Sequence, residues 1–156
     1  MEKLIEKYNV SVPRYTSYPP VPNWKSDSFS KDEYLKMLED NFVKGNKDGL
    51  ALYVHLPYCE SLCTYCGCNT RITVNHAVEE PYIDALLTEW KLYLEHFTEI
   101  PKIKEIHLGG GTPTFFSPLQ LKRLIEGILE RAEVLPDASF SFEAHPANTT
   151  EQHLCT

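Results

Sequence analysis

The chain is 156 residues long, with 42% apolar and 24% charged residues, which is the composition of an ordinary globular domain. Its net charge of −7 disfavours binding to nucleic-acid phosphates, because such binding usually needs a basic surface. No apolar run approaches the roughly 18 residues of a membrane span, and Met1–Val10 lacks the apolar core of a secretory signal. We therefore predict a cytoplasmic protein with neither a nucleic-acid nor a membrane partner, and chemistry on a small molecule stays open.

Residues 1–30 are predicted to form an extended arm. Proline occurs there at a density that prevents a regular helix, at Pro13, Pro19, Pro20 and Pro22. The remainder, residues 31–156, is predicted to be one α/β domain. Its first helix begins at the capping-box pair Ser30 and Glu33 and ends near Gly45.

The rest of the domain alternates strands with helices. A short apolar run rich in strand formers predicts a strand at Leu50–Leu56. The later elements are predicted to be a helix over residues 79–97, a strand at Lys104–Leu108, a helix begun by the capping box of Ser117 and Gln120, and a strand at Ser139–Ala144. Alternation of this kind implies parallel crossover units. The carboxyl ends of parallel strands are where such folds bind ligands.

Four of the five cysteines lie close together, immediately after the first predicted strand. Cys59, Cys63 and Cys66 have the spacing C-x-x-x-C-x-x-C, and Cys68 follows. Three thiolates on one loop can hold three irons of a [4Fe–4S] cluster and leave the fourth iron open for another ligand. The alternative is a zinc site, although zinc ligands usually come as two separated C-x-x-C pairs. We interpret Cys68 as a neighbour rather than a ligand, and Cys155 as a bystander.

Two further segments follow predicted strands. Gly109-Gly110-Gly111-Thr112 leaves a strand without side chains over three residues, so its backbone can approach a ligand closely and offer N–H groups to a carboxylate. By itself such a run is also common in turns. Glu143 lies near the end of the last strand and could accept hydrogen bonds from a ribose diol. The alternative for Glu143 is a solvated strand end.

These motifs resemble those of the radical S-adenosylmethionine (SAM) superfamily, and within it the oxygen-independent coproporphyrinogen III oxidases. The resemblance covers Tyr8 to Pro146 and is carried by four stretches: Arg14–Pro19, Tyr53–Cys59, Cys66–Asn69 and Gly109–Phe115. It implies an α/β fold that is the N-terminal half of a (β/α)6 partial barrel with parallel strands. Residues 31–156 would then be a truncated radical SAM domain of about three β/α units.

The resemblance also implies roles for individual residues. Cys59, Cys63 and Cys66 would ligate the [4Fe–4S] cluster. One SAM on the open iron would contact Tyr53, Gly110 and Glu143, and a second SAM would contact Tyr65, Gly111 and Thr112. An electron donor would reduce the cluster, and cleavage of SAM would give a 5′-deoxyadenosyl radical. The implied reaction is oxidative decarboxylation of coproporphyrinogen III to protoporphyrinogen IX, a step of haem biosynthesis.

Other interpretations stay open at this level. The chain stops at Thr156, where the family's barrel has about twice as many units, so we expect a truncated product or fragment that does not turn over alone. Related alternatives are a haem chaperone or a radical SAM methylase, and a module that binds a cluster or haem without turnover. His55, His107 and His145 lie near strand ends, and we interpret each as a packing or hydrogen-bonding residue.

Overall fold

We describe the fold from a computed structural model, which describes residues 2–9, 23–24, 29–64 and 66–156. It divides into two units, residues 1–34 and 35–156. The first unit contains helix α1, Glu2–Tyr8, and the start of helix α2, Lys31–Gly45. The prediction of an extended arm over residues 1–30 is therefore wrong for Glu2–Tyr8, which form α1. The first proline comes later, at Pro13, so nothing interrupts the helix formers before it.

Most of the proline-rich stretch, including Arg14–Pro19, lies outside the described residues. The beginning of α2 fits its prediction, because the Glu33 N–H donates to Ser30 Oγ over 3.4 Å. The helix ends at Gly45, as predicted.

The second unit contains a three-stranded parallel sheet. Strand β1, Leu50–Leu56, confirms its predicted bounds. Strand β4, Lys102–Gly110, lies in the middle, and strand β5, Glu133–Phe142, lies on its other side. Both outer strands pair with β4 in parallel, which confirms the predicted crossover topology.

Two strands differ in length from their predictions. β4 was expected to end at Leu108 but includes Gly109 and Gly110. β5 was expected from Ser139 to Ala144, but it begins six residues earlier at Glu133 and ends at Phe142. The early part of β5 contains Pro136, and the β4–β5 register shifts there. A strand interrupted in this way gives a weak alternation in sequence.

Two helices make the crossovers. Helix α3, Glu79–Leu94, ends three residues before the predicted end at residue 97. Helix α4, Pro118–Leu129, begins after Ser117 as predicted. A minor parallel pair, β2 at Tyr58–Cys59 and β3 at Arg71–Ile72, brackets the cysteine loop. A short helix α5, Glu151–Cys155, closes the chain.

The predicted capping box of Ser117 and Gln120 is wrong. The Ser117 side chain makes no cap hydrogen bond, and Gln120 Oε1 is buried without a hydrogen-bond partner among the described residues. Instead, the backbone N–H and the hydroxyl of Ser117 both donate to Glu79 Oε2, each over 2.8 Å. The buried carboxylate of Glu79 therefore replaces the local cap.

The core lies between one face of the sheet and helices α3 and α4. Its fully buried members come from both layers: Leu56, Ile83, Ile103, Ile106, Phe116 and Leu124. The opposite face of the sheet is polar at its carboxyl end, where Tyr53, His107 and Ser141 lie in register on the three strands. Among the described residues, none of the helices has both the length and the apolar character required to cross a bilayer.

Candidate functional site

The three segments singled out in the sequence meet at one edge of the sheet. The cysteine loop follows β1, the glycine run ends β4, and Glu143 follows β5 directly. Because the strands are parallel and adjacent, all three lie at their carboxyl ends. The structure confirms the prediction that these three segments lie at the carboxyl ends of the strands.

Tyr53, Gly110 and Glu143 are brought together there. The Gly110 N–H donates to Glu143 Oε2 over 3.0 Å, and the Glu143 N–H donates to the Leu108 carbonyl over 2.9 Å. Partial burial, followed by the negative charge of Glu143, raises the pKa of the Tyr53 phenol above 10.0. Glu143 is thus held by one hydrogen bond to its carboxylate and one from its backbone N–H. The Tyr53 phenol is protonated at neutral pH.

Two histidines complete this polar cluster. His55 Nε2 lies 2.8 Å from the Asn69 carbonyl, so it donates, and Nδ1 then accepts from the Tyr53 hydroxyl over 3.0 Å. His107 stacks on the Tyr53 ring at a centroid distance of 5.8 Å, and its Nε2 lies 3.9 Å from Glu143 Oε1. The prediction of hydrogen-bonding and packing roles is confirmed for both histidines.

His145 also has the predicted kind of role. Its backbone N–H donates to Thr114 Oγ1 over 3.3 Å, and its Nδ1 accepts from the Ala147 N–H over 3.3 Å. His145 therefore organises the turn that follows β5.

The glycines of the run are required by close packing against β1 and the residues after it. A methyl group on Gly109 would lie 2.9 Å from a Tyr53 ring carbon, and one on Gly110 would lie 2.8 Å from the His55 ring. Gly110 also has φ +119°, a conformation that side chains disfavour. A methyl group on Gly111 would lie 2.6 Å from the Pro57 carbonyl group. Protein atoms therefore occupy the space that these glycines leave.

This packing corrects one expectation about the run. The backbone of the run was expected to be able to offer N–H groups to a ligand. Instead, the N–H groups of Gly110, Gly111 and Thr112 donate within the protein. Their acceptors are Glu143 Oε2, the Leu56 carbonyl and the Tyr58 carbonyl, over 3.0, 2.9 and 3.0 Å. The run acts chiefly by positioning its neighbours.

The three predicted cluster ligands differ in their surroundings. Cys59 is buried in β2, Cys63 is half-buried and Cys66 is exposed. All five cysteines of the chain are free thiols. Within the described ranges, no three histidine, cysteine, aspartate or glutamate side chains converge closely enough to hold one metal ion. The loop therefore supplies thiol donors without holding them around one point.

Of the three residues expected to contact a second SAM, the structure describes two. Tyr65 lies outside the described residues. Gly111 packs against Pro57 and Tyr58, and Thr112 Oγ1 lies 3.3 Å from Cys59 Sγ. Gly111 and Thr112 are thus in contact with the first cysteine of the loop or the residues just before it.

A network around the buried Glu79, beside the site, was missed by sequence reasoning. Glu79 accepts both hydrogen bonds of Ser117, and its Oε1 lies 2.7 Å from His76 Nδ1. The ring of His76 stacks on Phe115 at 4.5 Å. The network joins the start of α3 to the segment that leaves the glycine run. The only signal in the sequence was the spacing of His76 and Glu79, which face each other across one turn.

The known proteins that resemble this chain in sequence agree in their names. No protein-family model matches the chain. The oxygen-independent coproporphyrinogen III oxidase of Pseudomonas aeruginosa is 37% identical over 136 residues, which cover 87% of this chain and 29% of that protein. A protein of the same name from Mannheimia haemolytica is 36% identical over 143 residues, which cover 92% of this chain and 94% of the relative.

A solved structure agrees with these sequences. Coproporphyrinogen III oxidase from Escherichia coli, described as a radical SAM enzyme, matches with a TM-score of 0.76 and 31% identity, over 95% of this chain and 31% of that one. The parallel sheet, with its cysteine loop and glycine run at the carboxyl edge, places the fold in the radical SAM class. The chain belongs to the oxygen-independent coproporphyrinogen III oxidase family. It spans only 29% of the length of the Pseudomonas relative.

Proposed function

We propose that this chain provides the cluster-binding and SAM-binding part of an enzyme that converts coproporphyrinogen III to protoporphyrinogen IX by oxidative decarboxylation. The observation that carries the proposal is the meeting of the cysteine loop, the glycine run and Glu143 at one sheet edge. Family membership supports the substrate, because the relatives are named for it. An electron donor, a cytoplasmic location and the absence of nucleic-acid and membrane partners belong to the same proposal.

The cysteine loop fits a [4Fe–4S] cluster in the chemistry and number of its donors. Cys59, Cys63 and Cys66 are free thiols on one loop, and thiolate is the usual ligand of iron–sulfur clusters. Each of these three thiolates would bind a different iron of the cluster, so the loop is not required to gather them around one metal ion. When bound, the cluster supplies the electron that cleaves the sulfonium C–S bond of SAM. Cys68 is proposed not to be a ligand.

Three residues of the edge suit the SAM that binds next to the cluster. Glu143 Oε2 is held by the Gly110 N–H, so its carboxylate is oriented before a ligand arrives and can accept hydrogen bonds from the ribose hydroxyls. The Tyr53 pKa is raised above 10.0, so its phenol stays neutral. Gly110 serves mainly by orienting Glu143. We propose a second SAM near Tyr65, Gly111 and Thr112, as in the family resemblance.

The test is anaerobic reconstitution of the chain with iron and sulfide, followed by iron analysis and electron paramagnetic resonance (EPR). We expect one [4Fe–4S] cluster per chain in the wild type and loss of the cluster in Cys59→Ala, Cys63→Ala and Cys66→Ala. Cys68→Ala is the matched control and should keep its iron. Addition of SAM should change the EPR spectrum of the reduced wild-type cluster, and Glu143→Gln should weaken that response.

Two results would contradict the proposal. Equal loss of metal in all four cysteine variants would indicate a four-cysteine site, for which zinc is the first candidate. An EPR spectrum that SAM leaves unchanged would show that no iron is open to it.

A further inference from the structure

Cys59 has a different environment from the other two predicted ligands. Cys59 lies in strand β2 and is only 8% exposed. Its carbonyl accepts a hydrogen bond from the Thr73 N–H over 2.9 Å, so the backbone is held from the β3 side. Burial of a thiolate is costly unless a donor compensates for the lost water. Thr112 is placed to supply such a donor, because its Oγ1 lies 3.3 Å from Cys59 Sγ.

The position of Thr112 is fixed by the backbone. Its N–H donates to the Tyr58 carbonyl over 3.0 Å, and the preceding Gly111 N–H donates to the Leu56 carbonyl over 2.9 Å. The absence of a side chain on Gly111 permits this approach, since a methyl group there would lie 2.6 Å from the Pro57 carbonyl oxygen. The third glycine of the run therefore brings the Thr112 hydroxyl to Cys59.

The direction of the hydrogen bond follows from the charge of the sulfur. A cysteine that ligates iron is a thiolate, which has no proton to give, so the hydroxyl must donate. Hydrogen bonds to the sulfur ligands are among the factors that set the reduction potential of iron–sulfur clusters. Reduction adds one negative charge to the cluster and its thiolates, so an O–H donor stabilises the reduced form more than the oxidised form.

We propose that Thr112 is a positioning residue whose hydroxyl donates to the Cys59 thiolate and raises the reduction potential of the bound cluster. The inference rests on the proposed function, because it requires a cluster on Cys59. It differs from a contact with a second SAM, since it operates before any SAM is bound. The step is a one-electron reduction by an external reductant, and no bond of Thr112 is broken.

The experiment is a redox titration of the reconstituted chain in the absence of SAM, with the reduced cluster measured by EPR. Thr112→Val keeps the shape of the side chain and removes the donor, so we expect a lower midpoint potential than in the wild type. Thr112→Ser keeps the donor and should restore a value close to that of the wild type. Thr112→Ala serves as the second donor-free variant if Thr112→Val binds little iron.

A matched control comes from the other threonine beside the loop. Thr70 Oγ1 lies 3.9 Å from the sulfur of Cys66, which is exposed, so this contact is longer than that of Thr112 and lies at the surface. Thr70→Val should therefore shift the potential less than Thr112→Val.

The outcomes separate this inference from the proposed function. A wild-type chain that assembles no cluster overturns both. A cluster whose potential is the same in the wild type and in the two donor-free variants overturns the role of Thr112 alone. So does a shift that appears only when SAM is present, because that result would identify Thr112 as a SAM contact.

Discussion

Gly111→Ala provides the sharpest test of how the site is built. The added methyl group would lie 2.6 Å from both the carbonyl carbon and oxygen of Pro57, and 2.9 Å from the carbonyl oxygen of Tyr58. Ordinary contact begins at 3.4 Å, so the two backbone segments would have to separate by about 0.8 Å. Because the obstructing atoms are backbone, no side-chain rotation can relieve the overlap.

The expected loss of stability has two sources. Overpacking in a tight interior costs about 1–3 kcal/mol. The separation also weakens the hydrogen bonds from Gly111 to Leu56 and from Thr112 to Tyr58, and each contributes a net 1 kcal/mol or so. We therefore expect the free energy of unfolding to fall by about 2–4 kcal/mol.

Urea unfolding of the metal-free chain under reducing conditions, followed by circular dichroism, measures this loss. With a slope of about 2 kcal/mol per molar urea, the midpoint should fall by about 1–2 M at constant slope. Gly45→Ala is the matched control, because nothing lies within 4 Å of its added methyl group and its φ is −98°. It should change stability by less than about 1 kcal/mol. If Gly111→Ala has the same urea midpoint as the Gly45→Ala control, the close approach at Gly111 does not stabilise the fold.

Three further predictions concern the core, the tyrosine and the cysteines. Phe116→Ala, at a side chain that is fully buried, should lower the free energy of unfolding in urea by about 3–5 kcal/mol. Leu119→Ala, at a side chain that is 72% exposed, should change it by less than about 0.5 kcal/mol. Glu143→Gln should lower the raised pKa of Tyr53 partway towards 10.0, seen as earlier phenolate absorbance after subtraction of a Tyr53→Phe titration; an unchanged titration would contradict the charge effect. The stability that the raised Tyr53 pKa provides is present below pH 10.0 and is lost as the pH rises through the folded-state pKa. Iodoacetamide should label Cys59 most slowly of the five cysteines in the metal-free chain, as read by mass spectrometry, and equal rates would contradict its burial.

The sequence was sufficient to predict the elements that position the site. Leu50–Leu56 is a continuous apolar run that ends at Pro57, and both signals are local. The cysteine spacing and the glycine run are also local patterns, and each follows a strand. Parallel topology then brings the strand ends to one edge, so the placement of the site could be predicted without knowledge of any side-chain contact.

The features that were missed depend on partners distant in sequence. Ser117 and Gln120 have a capping-box pattern, but Glu79 lies 38 residues away and takes both hydrogen bonds of Ser117. A local pattern contains no information about that competitor. The same limit applies to the glycine run, whose N–H groups are satisfied by Glu143 and by carbonyl groups near the cysteine loop. Satisfaction of buried polar groups is a tertiary property.

These contacts change the interpretation of the glycine run. If the run served only as a cradle for a ligand, its N–H groups would be free and the space beside its glycines would be open. Instead, Gly109 and Gly110 accommodate the rings of Tyr53 and His55, and the Gly110 N–H holds Glu143. Gly111 allows Thr112 to reach Cys59. Each glycine therefore places a chemically active side chain from a neighbouring segment, and a substitution in the run should act on the site through those side chains as well as through stability.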